Sequence, residues 1–481
     1  MTPHEKNDFI SLQTDATLVL DANSQTSMLS GKDGEKYPVI NAIPILVEEP
    51  GNFLADAFVT YRQHLLTQED LIQEFTTSFA KHPMRLSIFE NLKKAIEHNA
   101  AIIKPMTDVI ESFFTKDQLL HAALNGNHSR VEYLKAFRYL KRDWCGLAES
   151  EEQLKIIHSA LKEGLHFLDD RDSSLVLGAG VGRVACDLHA SFSRIFAMDK
   201  SWSMAYFSQK VMRENVLFYE INHNNILRSI HSTRLLRAGF SYVGTSEEDV
   251  ADIREKLSYF VGDVRKIPLP DESVSCVLSV YFTDVIALES YMAEVHRVLK
   301  KGGIFIHFGP LGYQFRAIEN MLTAEEIKAW YFKLGYEHLL EKTVETKHLA
   351  SHDILYNATV NNWLFVTRKK TDAFTLQASN FTDDSIPELV SGFQYAHEGT
   401  LNVQGRNSEK FTITATNGKK YAGSESFLDF IGLMDGRRSL SGIVEELGGR
   451  YDLSEMDRRE LLSLTSRLLR DGVIQIKPRT S

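Results

Sequence analysis

Cysteine is scarce in this chain: three in 481 residues, Cys145, Cys186 and Cys276, no two of them close enough for a metal knuckle. That excludes a disulfide scaffold and fits a reducing compartment. No apolar run approaches the ~18 residues that a membrane span needs. The opening, MTPHEKNDF, lacks the basic and apolar regions of a secretory signal, so a cytoplasmic protein is expected. Basic residues are outnumbered, 54 Lys+Arg against 64 Asp+Glu, for a net charge of −10. Phosphate contacts dominate nucleic-acid affinity, so a whole-surface grip on DNA or RNA is excluded. What remains is ordinary globular composition, 43% hydrophobic and 25% charged, in a chain long enough for two to four domains.

The code changes along the chain. Ala16–Leu20 reads as a strand, Lys32-Asp33-Gly34 as a turn, and Tyr37–Val47 as an edge strand or extended arm broken by two prolines. From Ala55 to Gly164 apolar residues recur at three- and four-residue steps (Phe75, Phe79, Leu86, Phe89, Leu92, Ala95, Ile96, then Leu119 to Leu140 through Leu124 and Val131), which predicts a helical region. From Ser174 short apolar runs end in Gly, Asp or a polar residue: SLVLGAG, RIFAMD, SYFVGD, VSCVLSV and GIFIHFG. Buried strands alternating with helices predict an α/β fold, a doubly wound, Rossmann-like parallel sheet. The divisions expected are 1–54, 55–164, 165–370 and 371–481. The last reads as strands, an Asn417-Gly418 turn, two helical patterns, a third over Ser454–Arg470 and a closing apolar run at 473–476.

The chemistry is densest in LVLGAGVGR. A strand runs into Gly178, Gly180 and Gly182, then Arg183 and a helix expected over Val184–Ala190. Glycine lets a backbone turn tightly and approach a ligand. Asp199 closes the next strand, where a carboxylate can take both hydroxyls of an adenosine ribose. Asp263, followed by Val264, ends the third and would meet an adenine amino group. A dinucleotide site usually carries G-x-G-x-x-G, and that third glycine is absent here, so S-adenosylmethionine is the better fit to G-x-G-x-G-R. LPDESVSCVLS and LKKGGIFI resemble the approaches to the fourth and fifth strands of S-adenosylmethionine-dependent methyltransferases.

Residues 130–370 resemble the carnosine N-methyltransferases, which methylate an imidazole nitrogen of a histidine-containing dipeptide. The resemblance rests on Arg142-Asp143-Trp144, GAGVGR, VYFTDVIALESYMAEVHRVLKKGG, FGPLGYQF and ILYNATVNNWLFV. It implies that Arg142 and Trp144 help cover the cofactor, that Asp284 faces the acceptor and that His223 lies near it. Tyr313 and Gln314 would orient the acceptor. The family's Gly-Pro-Leu-Leu-Tyr-His-Phe carries histidine where this chain has Gln314, and glutamine cannot act as a base near neutral pH. His307 reads as a satisfied sheet residue. His348 and His352 have metal-like helical spacing but no third ligand, and surface histidines are the better reading.

Residues 10–48 resemble a zinc-ribbon-like accessory domain through GEKYPVINAIPILV, but with no cysteine the segment is expected to be a metal-free cap. Residues 385–478 resemble the PqqD-type winged helix through Leu433-Met434-Asp435-Gly436-Arg437-Arg438-Ser439, IVEEL and SLTSRLLRDGVI. That implies capture of a precursor peptide at a sheet edge. A packing or dimerisation module, and a local basic patch at Arg437, Arg438 and Arg450, stay open. Three functions follow: an N-methyltransferase of a histidine-like small molecule or dipeptide, a peptide-modifying methyltransferase, and a cofactor-binding scaffold.

Overall fold

The computed structural model describes residues 8–21, 27–79, 81–125, 134–371, 384–390, 393–401, 407–415, 420–423, 425–451, 461, 464–465, 468–469 and 473–477. It divides into two compact units, Met1–Phe374 and Thr375–Ser481.

The first unit opens with short strands β1 (Val19–Asp21), β2 (Met28–Ser30), β3 (Lys36–Ile40) and β4 (Ile43–Leu46). Helices α1 (Pro50–Phe79), α2 (Leu86–Glu111), α3 (Lys116–Asn125), α4 (Lys135–Trp144) and α5 (Ala148–Leu165) follow. The helical periodicity is realised in the α1–α2 pair: Phe75 stacks on Phe89 at 5.4 Å, and Leu92, Ala95 and Ile96 are buried. Val131 lies outside the described residues.

Strand and helix then alternate: β5 (Ser173–Leu177), α6 (Arg183–Cys186), β6 (Arg194–Asp199), α7 (Trp202–Val211), β7 (Val216–Ile221), β8 (Thr233–Ala238), α8 (Glu247–Lys256), β9 (Leu257–Gly262), β10 (Val274–Val280), α9 (Met292–Val298), β11 (Leu299–Gly309), α10 (Ala324–Lys333), β12 (Tyr336–His348) and β13 (Ala358–Lys369). One sheet runs β1-β2-β3-β4-β9-β6-β5-β10-β11-β13-β12. From β4 to β11 every pairing is parallel, and β13 and β12 close it antiparallel. β5, β9 and β10 are buried along their whole length, as strands covered by helices on both faces must be. The expected α/β doubly wound sheet is present.

Two features depart from the sequence reading. Tyr37–Val47 is not one arm but a hairpin: Asn41 and Ala42 turn it with φ of 52° and 66°, and β4 then lies parallel to β9. The N-terminal strands therefore continue the central sheet. The second is an inserted hairpin, β7–β8, docked on α2 by Asn99, whose amide donates to Tyr219 O and accepts from Tyr219 N, both at 2.8 Å.

The second unit holds β14 (Ile386–Leu389), β15 (Phe393–Leu401), β16 (Asn407–Ala415), β17 (Lys420–Gly423), α11 (Glu425–Gly432), α12 (Leu440–Gly448) and β18 (Ile474–Lys477). β14 pairs with β18, and β15, β16 and β17 form an antiparallel sheet. Its own core gathers Ile413, Phe430, Ile431, Met434, Ile443, Leu447 and Leu468. The Asn417-Gly418 turn and most of the helix expected over 454–470 lie outside the described residues. Arg438 and Arg450 are paired with Asp435, Asp429 and Glu446, so those two guanidinium groups are already committed to carboxylates.

Candidate active site

The loop after β5 is shaped by its glycines. Gly178, Gly180 and Gly182 have φ of 59°, 58° and 88°, the left-handed region where a side chain costs about 1–2 kcal/mol. Their surroundings differ. A Cβ on Gly178 would stand 2.4 Å from the Phe282 ring, and one on Gly182 would stand 2.6 Å from Ser208 Oγ. A Cβ on Gly180 would meet nothing within 4 Å. Gly180 is thus the point where a ligand can approach the backbone, and its two neighbours are glycine because protein fills the space.

The loop is fastened from behind. Trp144 Nε1 donates to Val181 O at 2.8 Å in the buried interior. Ala179 N donates to Met198 O at 2.9 Å, and the Tyr259 hydroxyl donates to Gly180 O. Arg183 donates through one terminal nitrogen to Asp143 O at 2.6 Å and through Nε to Asp187 at 2.8 Å, with its guanidinium 5.7 Å from the Trp144 ring. Trp144, Gly182 and Arg183 are therefore braces of the loop rather than walls of the cleft. The helix expected over 184–190 is shorter: α6 covers four residues, Arg183–Cys186, and turns follow it.

A cleft of about 890 Å³ lies at the carboxyl ends of β5, β6, β9 and β10. In doubly wound sheets that is where ligands bind, and the volume is of ligand-pocket size. Gly178, Gly180, Asp199, Asp263, Val264 and Arg142 line it, as the sequence reading expected of cofactor residues. A smaller cavity of about 490 Å³ sits between Asp8, Asp172, Arg194 and Lys256, near the amino ends of β5 and β6.

Asp199 accepts from Gly180 N and Ser201 N, both at 2.8 Å. Burial nevertheless pushes its pKa up to about 6, because the amide donors only partly offset the lost hydration. Asp263 is the opposite case. Burial opposes its charge, but Arg265 and Lys200 hydrogen-bond it and hold the carboxyl well below the usual range. Arg142 is buried, forks onto Asp143 at 2.5 and 3.1 Å and lies 5.0 Å from the Tyr139 ring.

The residues assigned to the acceptor are only partly gathered. Gln314 lines the cleft, and its N–H donates to Asp284 O at 2.9 Å. Asp284 is buried and is not among the cleft-lining residues; burial raises its pKa, against hydrogen bonds from its own and the Gly312 amides. Tyr313 is turned away: its hydroxyl donates to Leu322 O and its ring packs on Phe315 at 5.1 Å. Burial pushes that phenol up to about 12, and Tyr313 is not among the cleft-lining residues. His223 is exposed after β7 and does not line the cleft. Tyr139, Tyr281 and Phe282 line it without having been singled out. Tyr281 and Phe282 follow the fourth buried strand directly, a position that could have pointed to them.

The cleft and sheet order are those of a Rossmann-like α/β fold, and the family match makes the chain an S-adenosylmethionine-dependent methyltransferase. Within that class the chain belongs to the Carnosine N-methyltransferase family, whose family model matches residues 123–371. The Carnosine N-methyltransferase of Mus musculus is 26% identical over 318 residues, covering 58% of this chain and 74% of that protein. That of Schizosaccharomyces pombe is 24% identical over 349 residues, covering 61% and 88%. Among solved structures, a putative methyltransferase of Bacillus halodurans C-125 is 13% identical with a TM-score of 0.29, covering 46% of this chain and 100% of that one. A protein of Pyrococcus horikoshii OT3 is 17% identical with a TM-score of 0.31, covering 50% and 100%. Among the described residues no helix is long and apolar enough to cross a membrane.

Proposed function

We propose that the cleft binds S-adenosylmethionine and that the enzyme methylates a nitrogen of a histidine-like molecule or small peptide. The observation that carries this is the coupling of Gly180, the one loop glycine with open space at its Cβ position, to the Asp199 carboxylate inside a cleft of ligand size. These residues fit the cofactor: Asp199 would take the ribose hydroxyls, Asp263 with Val264 the adenine, and Arg142 would cover the site. S-adenosylmethionine, when bound, supplies a methyl group already activated on a sulfonium. The chain's own work is then to align an acceptor nitrogen and to exclude water.

The Gln314 N–H donates to the Asp284 main-chain O at 2.9 Å, which ties together the backbone that carries the two residues. A glutamine there can orient an N–H or a lone pair but moves no proton. Family membership and the names of the relatives support carnosine, or a molecule with the same imidazole, as first acceptor to try. The test is mass spectrometry of methyl transfer to carnosine, histidine, other small amines and histidine-containing peptides. A single methyl gain on carnosine or histidine supports the reading, and transfer to peptides alone replaces it with a peptide modifier.

The separate core and edge strands of the second unit support a peptide-holding, PqqD-like role for residues 375–481 as a second reading. Deleting 375–481 separates the two, since only a peptide modifier should lose substrate affinity while retaining cofactor affinity.

A further inference from the structure

His348 takes no part in the site as described so far. It ends β12, opposite Ala358 of β13, and is half-buried there rather than on a helix with His352. Its ring lies 5.3 Å from that of Tyr281, tilted by 52°. Its Nδ1 is sealed from solvent and has no hydrogen-bond partner among the described residues. A buried polar nitrogen left unpaired is costly, and such groups call for a reason. Burial first, then the charge of Arg142, lower its pKa below that of an ordinary imidazole. Both effects favour the neutral ring over the imidazolium.

Tyr281 beside it is built with care. It lines the cleft with Arg142 and holds φ at +55°, a strained value for a bulky residue. Its N–H donates to Phe308 O at 2.9 Å. Its hydroxyl meets Gln153 Nε2 at 3.3 Å and Thr346 Oγ1 at 3.4 Å. The same Gln153 amide accepts from Leu349 N at 3.2 Å, next to His348, and buried Asn362 donates to Thr346 at 2.9 Å. One polar network thus sets the ring in the cleft and the backbone that carries the histidine.

We propose that His348 is the proton acceptor of the methyl transfer, with Tyr281 as the ring against which a planar nitrogen acceptor is placed. This rests on the acceptor reading above. Gln314 cannot be a base, and His348, with its unpaired Nδ1 and its ring against the cleft-lining Tyr281, is a group that can take the proton. The acceptor nitrogen's lone pair forms the new N–C bond, and the pair of the broken S–C bond stays on sulfur. The acceptor's N–H bond then breaks, its electron pair remains with the acceptor, and the proton passes to His348. The charged groups around His348 are Arg142, already paired with Asp143, and the exposed Lys347–Glu152 pair at 3.7 Å. Arg142 disfavours a second cation, so the proton is held briefly and released.

The experiment uses full-length protein, His348→Gln and His348→Ala, with carnosine as acceptor. Melting temperature and S-adenosylhomocysteine affinity should stay near wild type, while turnover at pH 7 falls by at least ~100-fold. The acid limb of the wild-type turnover profile should move in His348→Gln, leaving the part set by protonation of the acceptor imidazole and of Asp199. A readout without turnover is the His348 ring resonance, assigned by its loss in His348→Gln. With S-adenosylhomocysteine bound, it should move when carnosine or free imidazole is added. Wild-type turnover with an unchanged acid limb, or a resonance indifferent to both probes, overturns the proposal. No methyl transfer by the wild type sinks the acceptor reading instead, and the response to imidazole then decides His348 alone.

Discussion

The Asp199 carboxylate accepts the Gly180 N–H at 2.8 Å, joining the acid that ends β6 to the glycine whose Cβ position is open. Ligand and proton compete for this carboxylate. Its pKa, raised to about 6 by burial, means that lowering the pH through 6 protonates it and removes the acceptor for ribose hydroxyls. S-adenosylhomocysteine affinity, followed by calorimetry from pH 8 to 5, should fall toward the acid end. Asp199→Asn should weaken binding by about 1–3 kcal/mol at pH 7 and flatten that dependence. Equal affinity in the mutant at pH 7 would remove the ribose assignment.

The glycines predict a contrast. Gly178→Ala forces a methyl to 2.4 Å from Phe282 at a positive φ, so the fold itself should suffer, by more than the ~1–2 kcal/mol of the backbone strain alone. Gly180→Ala carries the same strain but meets no protein atom within 4 Å. It should cost only about 1–2 kcal/mol of stability and show its larger effect as lost cofactor affinity. Urea unfolding beside ligand titration separates the two. The expectation fails if Gly180→Ala is the less stable protein.

Trp144 gives a third prediction. Its Nε1 satisfies the Val181 carbonyl at 2.8 Å inside the core, yet its side chain does not line the cleft. Trp144→Phe keeps most of the apolar volume and strands that carbonyl, at a cost of about 1–3 kcal/mol. Because Val181 sits between Gly180 and Gly182, cofactor affinity should drop with stability, and the mutant complex should regain part of the lost melting temperature as ligand is added. A destabilised mutant with wild-type cofactor affinity would show that the brace does not shape the loop.

Much of this was legible because buried parallel strands write themselves as continuous apolar runs. SLVLGAG, SYFVGD and VSCVLSV became β5, β9 and β10, and the residues at their ends met in one cleft. Contacts set by tertiary packing were not legible. Nothing local in IPIL says that β4 will pair with β9, some 200 residues on. Tyr313 and Gln314 are neighbours with the same loop chemistry, yet one donates to Leu322 O and the other lines the cleft. Of His348 and His352, both read as surface histidines, His352 lies exposed in the turn after β12, but His348 closes the strand half-buried. Period alone could not distinguish these.

The last prediction concerns Asp284. It is buried, its charged form is disfavoured by that burial, and the Gly312 amide is among the groups that stabilise it. Its backbone oxygen holds Gln314 N at 2.9 Å. Asp284→Asn keeps the shape and the backbone bond but removes the charge near the acceptor side. Cofactor affinity should stay near wild type while turnover on carnosine falls by about 10–100-fold, within the range for a polar group acting on the reacting centre. Tyr313→Phe is the control: it loses one hydrogen bond to Leu322 O, about 0.5–1.5 kcal/mol of stability, with little change in turnover. If both variants lose stability and turnover in the same proportion, Asp284 serves the loop as Tyr313 does. A selective loss of turnover in Asp284→Asn alone places its carboxylate in the chemistry.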